Sequence, residues 1–100
     1  MSVTRKFTAE TINGIAGFEI IVKGEANVGN LDVMPELVKA VPQGTNPAYL
    51  LLNLENAVDA NPEKFQHVQY NEKIPSQKTY TNVDIFHKGK IVEKLTVIFK

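Results

Sequence analysis

Residues 45–65 read "TNPAYLLLNLENAVDANPEKF", and the state of the leucine run inside this stretch decides the fold. By composition "YLLLNL" suits a strand, but leucine, alanine and glutamate favour helix. Asn46 before Pro47 also has the form of an N-cap followed by a proline at the first helical position, where a missing N–H does no harm. Leu50, Leu51, Leu54, Ala57 and Val58 then share one helical face, so a helix is expected over 47–59. Upstream, Asp32 caps "VMPELVKAV" in the same way, with Pro35 in the first turn and Val33, Leu37 and Val41 at four-residue spacing. That segment is expected to be the first helix, ended by Pro42 and Gly44.

Both ends of the chain read as hairpins. Asn13-Gly14 is a strong two-residue turn signal, because both residues tolerate the positive φ that the turn requires. Strands at about 3–12 and 15–23 then set Ala9 opposite Phe18, Phe7 opposite Ile20 and Arg5 opposite Val22. Phe7, Ala9, Phe18, Ile20 and Val22 collect on one face. At the other end, "DIFHKGKIVEKLTVIFK" closes on either two or three residues. A two-residue Lys88-Gly89 loop places Asp84 opposite Glu93, a repulsive cross-strand pair. A three-residue His87-Lys88-Gly89 loop avoids this, sets Ile85 opposite Ile91, and gives a core face of Val83, Ile85, Ile91, Leu95, Val97 and Phe99.

Between these parts "GEANVGN" is a loop, Asn61-Pro62 repeats the helix-start signal, and "FQHVQY" fits a helical continuation and a brief strand equally. The expected architecture is α+β: an antiparallel sheet of four or five strands with two helices packed on one face, in the order ββαα(β)ββ, and residues 1–100 form a single globular domain.

One hundred residues with 43% hydrophobic and 22% charged content suffice for one core and not for two. With no cysteine, disulfides, thiolate metal sites and cysteine nucleophiles are excluded. The first residues are charged where a signal peptide is apolar, and no window approaches the roughly 18 apolar residues of a membrane span. The expectation is a cytoplasmic protein with no membrane association. Net charge is zero but uneven: residues 24–64 carry six acids against two lysines, and residues 65–100 six lysines against three acids. Ten lysines, one arginine and nine asparagines suggest an AT-rich bacterial or phage genome, and the scarcity of arginine counts against a dedicated nucleic-acid reader.

No catalytic set emerges. Ser2 and Ser76 lack the strand-turn-helix context of a nucleophile. His67 has at most Glu63 beside it, short of the three or four ligands of a zinc site, so neither metal nor cofactor is expected. His87, Lys88 and Lys90 surround a glycine and present a candidate anion contact, although a solvated turn explains them as well. Tyr80 and Phe86 share a face with Lys94 and form the candidate stacking platform of a single-strand binder. Leu50, Leu51, Leu52 and Leu54 cover more of the circumference of the second helix than one core stripe requires, which marks Tyr49 and Leu52 as a candidate protein interface. The leading expectation is a non-enzymatic protein-binding or assembly module that self-associates. The alternative is a single-stranded nucleic-acid-binding accessory protein using a basic aromatic sheet face.

Overall fold

Along 49–55 the side chains alternate, with Leu50, Leu52 and Leu54 buried and Tyr49 and Glu55 exposed, which is the two-residue period of a strand. The computed structural model describes residues 3–100, and among them there is no helix. Eight strands occur: β1 (Thr4–Gly14), β2 (Gly17–Asn27), β3 (Glu36–Lys39), β4 (Tyr49–Glu55), β5 (Phe65–Ile74), β6 (Asn82–His87), β7 (Lys90–Thr96) and β8 (Ile98–Phe99). They form two four-stranded sheets, β5-β2-β1-β8 and β3-β4-β6-β7. Both are mixed, because β1 pairs with β8 and β4 with β6 in parallel. A parallel pair needs a long connection. The chain supplies one by leaving the second sheet after β4, running β5 along the edge of the first, and returning as β6.

The two sheets share one core. Ala9, Ile20, Val22, Ala26, Val68 and Ile74 of the first sheet meet Leu37, Leu50, Leu52, Leu54, Val83 and Ile85 of the second. The architecture is therefore an all-β sandwich, which overturns the α+β expectation and both helices. The signals that mimic helix starts are used locally for turns. Asn46 Oδ1 accepts from the Ala48 N–H at 3.0 Å and its carbonyl accepts from the Tyr49 N–H at 3.1 Å, so the apparent cap closes a turn into β4. Asn30 does the same for the Asp32 and Val33 amides, leaving Asp32 inside a turn rather than at a helix start. Helix preference differs between residues by only tenths of a kcal/mol. Burial of three leucines, at roughly 1.5–3 kcal/mol each, outweighs it. Of Val33, Leu37 and Val41, only Leu37 is buried, so the four-residue spacing marks no core stripe.

The first hairpin exists but turns at Ile15-Ala16, with Gly14 opposite Gly17, and not at Asn13-Gly14. Gly17 takes the positive φ, 110°, that closes it. Ala9 consequently faces Val22 and Thr11 faces Ile20, so the turn centre moves by two positions and each residue's partner by four from the expected register. Two positions preserve the pleat, and Ala9, Ile20 and Val22 are buried as expected, with Phe7 and Phe18 packed against them.

The last hairpin turns on two residues, Lys88 and Gly89, with φ of 52° and 81°, so the three-residue loop is incorrect. The like-charge clash is avoided by a bulge: Phe86 faces Ile91 and Ile85 faces Glu93, which leaves Val92 as the extra residue and sets Asp84 directly opposite Lys94. The bulge also changes which β7 side chains reach the core. Val92 and Leu95 pack against it, whereas Ile91, between the two-residue turn and the bulge, is exposed; Phe99, also expected in the core, is exposed on β8 of the first sheet.

Candidate functional surfaces

The outer face of the second sheet is built from the alternate residues of four strands. One row across it reads Val38, Asn53, Phe86, Ile91, and the next reads Leu51, Asp84, Lys94. Val38 is 41% exposed, Ile91 43% and Tyr49, one row further, 38%. Leu51 is held at the margin by the 40–44 loop. The Gln43 side-chain amide donates to its carbonyl at 2.8 Å and accepts from its N–H at 2.9 Å, as a neighbouring strand would. The apolar surface continues at the ends of β3. Among the described residues, five of the ten large apolar side chains left exposed are Leu31, Val33, Met34, Val38 and Val41.

The expected site residues are dispersed on this framework. Tyr49 lies on the outer face as an exposed residue, but Leu52 is 0% exposed in the middle of β4 and serves the core. Phe86 and Lys94 share the outer face, with Asp84 beside Lys94. Tyr80 does not join them: it is buried between the sheets. His87 is also buried, and its Nε2 donates to the Ala57 carbonyl at 2.9 Å, tying β6 to the loop after β4. Lys88 and Lys90 remain at the exposed hairpin tip. The structure thus separates the anion contact and the stacking platform into a core histidine, a buried tyrosine and an outward hairpin. His67 is exposed on β5 and approaches Gln69 at 3.2 Å; Ser76 lies in an exposed turn, and Ser2 lies outside the described residues.

Tyr80 belongs instead to a polar cluster where β3 and β5 approach each other at one open side of the sandwich. Tyr70 Oη donates to Glu72 Oε1 (2.7 Å), Tyr80 Oη donates to Glu72 Oε2 (2.9 Å), and Lys39 Nζ donates to that oxygen (3.2 Å) and to Tyr80 Oη (3.1 Å). Burial tends to raise the Glu72 pKa, but the two hydroxyls and the ammonium together hold it below the usual carboxylate range. The hydrogen bond with Tyr80 raises the Lys39 pKa against its own partial burial, and burial followed by Glu72 raises that of Tyr70. Each group has a partner within the cluster, which thereby joins the two sheets. At the opposite side, the Thr4 hydroxyl donates to Glu93. Lys39 and Glu93 are thus inward-turned charges on the edge strands β3 and β7, a device that discourages edge-to-edge pairing.

None of Lys39, Glu72 or Asn27 stands out in the sequence. Asn27 is fully buried at the end of β2. Its Oδ1 accepts from the Gly29 and Lys64 amides (3.1 and 2.9 Å), and its Nδ2 donates to the Ala60 carbonyl (3.0 Å). A strand reading of 65–74 provides the signal for the cluster, since it places Tyr70 and Glu72 on one face. Among the described residues no group of three His, Asp or Glu side chains is placed to hold a metal, and no helix is long and apolar enough to cross a membrane. No family model, curated protein or solved structure matches the chain.

Proposed function

We propose that this chain is a non-catalytic assembly module that pairs with a second copy of itself through the outer face of its second sheet. The observation that carries this reading is the row Val38, Asn53, Phe86 and Ile91, apolar at three of its four positions with Val38 and Ile91 exposed, together with exposed Tyr49 on the same face and Met34 and Val41 at the ends of β3. A concentration of exposed apolar side chains on one side of a molecule marks interaction sites. Two features favour a second copy as the occupant. The chain has no net charge, so two copies approach without overall repulsion. The face also carries Asp84 and Lys94 side by side, and a twofold axis lying in the interface, perpendicular to the line that joins them, brings each acid towards the partner's base. A cytoplasmic setting is part of the same proposal.

The test is light scattering of the wild type beside Val38→Glu and Ile91→Glu. Both positions are exposed, so the single chain tolerates the change, whereas an unpartnered charge in an interface costs several kcal/mol. The wild type is expected at twice the 11.1 kDa chain mass and both variants at the chain mass. A wild-type monomer at every concentration rejects the reading. If that monomer also binds a single-stranded oligonucleotide and loses it in Lys90→Ala and Lys94→Ala, the basic hairpin with Phe86 is the functional element instead.

A further inference from the structure

We propose that the outer face of the first sheet, on the side of the molecule opposite the assembly surface, binds a phosphate group at the bulge of β1. The inference is independent of the assembly reading. Between Arg5, opposite Glu25, and Thr8, opposite Lys23, the residues Lys6 and Phe7 together face the single residue Gly24. Phe7 turns inward and occupies the space that Gly24 leaves: a Cβ at Gly24 would lie 2.5 Å from the ring. Lys6 is turned outward, with a φ of 59° that a lysine rarely adopts. It lines an open depression of about 380 Å³ together with Thr8, Lys23, Gly24, Glu25 and His67.

The charges of this face do not cancel at the depression. Glu25 is held by Arg5 at 2.7 Å, Glu10 by Lys100 at 2.8 Å and Glu19 by Lys73 at 3.6 Å. Arg5 is fixed further by stacking on Phe65, with its guanidinium 3.9 Å from the ring centroid. Each of these carboxylates therefore has a nearer cation of its own. Lys6 and Lys23 have no carboxylate within 4 Å among the described residues, and both open into the same hollow. Two ammonium groups and the Thr8 hydroxyl make a donor set for a tetrahedral dianion, with the Glu25 carboxylate of the same lining engaged by Arg5, and the volume accommodates a phosphate with a small substituent. The strained backbone at Lys6 gives the second argument. Glycine or asparagine adopts this φ at less cost, so the position keeps a lysine against its conformational preference.

The test is an amide-resolved NMR titration of the full chain with inorganic phosphate at constant ionic strength. Saturable shifts are expected at Lys6, Gly24 and His67. Lys23→Ala and Lys6→Gly should each weaken binding about tenfold, while Lys88→Ala at the distant hairpin leaves it unchanged. Lys6→Gly should bind less yet melt higher, an outcome that a structural role for the lysine does not produce. Parallel titrations with a nucleoside monophosphate and with a short single-stranded oligonucleotide distinguish the source of the phosphate: tighter binding of the monophosphate than of inorganic phosphate assigns a phosphate monoester. Non-saturating shifts, or equal curves in wild type and both variants, overturn the proposal. So does an oligonucleotide that binds where phosphate and the monophosphate do not.

Discussion

Thr11 lies in the core at 0% exposure, and its hydroxyl has no hydrogen-bond partner among the described residues. A buried unpaired hydroxyl is destabilising, and valine has the same shape without it. Thr11→Val is therefore expected to raise stability by about 1 kcal/mol, measured as a higher urea midpoint at unchanged slope. Asn27 is the opposite case. Its side chain satisfies two amides and a carbonyl from three loop positions, and Asn27→Ala leaves all three without it, at a cost of about 3 kcal/mol. A loss under about 1 kcal/mol in the same assay would show that those backbone groups find other partners. Neither role is legible in the sequence. A threonine in an alternating strand does not announce that its hydroxyl is unpaired, and Asn27 owes its contacts to residues up to 37 positions away.

At the scale of elements, the Lys39–Glu72–Tyr70–Tyr80 cluster contributes a pH dependence to stability. A carboxyl whose folded-state pKa is depressed contributes stability above its ordinary value, and that contribution is lost as pH falls through the folded value. Glu72 thus weakens the junction of β3 and β5 below about pH 4. Lys39 and Tyr70 are raised, so their contributions are present below their ordinary values and lost at strongly alkaline pH, above about 10. Urea midpoints should fall on the acid side below about pH 4, and Glu72→Gln should flatten that acid limb. An acid limb as steep in that variant as in the wild type would place the titrating group elsewhere. What was legible at this scale was parity. The alternation of Phe7, Ala9, Phe18, Ile20 and Val22 gave the buried face of the first hairpin, and the face survived a turn misplaced by two residues because an even shift does not invert the pleat. The turn of two residues in place of three is an odd displacement, and so Ile91, expected inside, is outside, while the bulge at Val92 adds a second odd step that returns Leu95 to the core side. Asn46-Pro47 misled because the amides that a cap satisfies at a helix start are satisfied in the same way in a turn. Strand or helix was then decided by β3 and β6, far along the chain, which supply the ladder on both sides of β4.

For the whole molecule, the sandwich accounts for why Leu52 and His87 are structural and why Tyr49 and Phe86 remain available at the surface. The edges of the second sheet carry inward charges, which oppose pairing along an edge, while Val38, Tyr49 and Ile91 stay exposed on its outer face, the surface proposed for assembly. The most direct test is a dilution series of methyl NMR spectra on the wild-type chain. Self-association through the outer face predicts concentration-dependent shifts for the Val38, Leu51 and Ile91 methyls, with Ile15 at the opposite hairpin and Ile98 of the first sheet unchanged. Spectra constant at all concentrations, or shifts confined to Ile15 and Ile98, would contradict it.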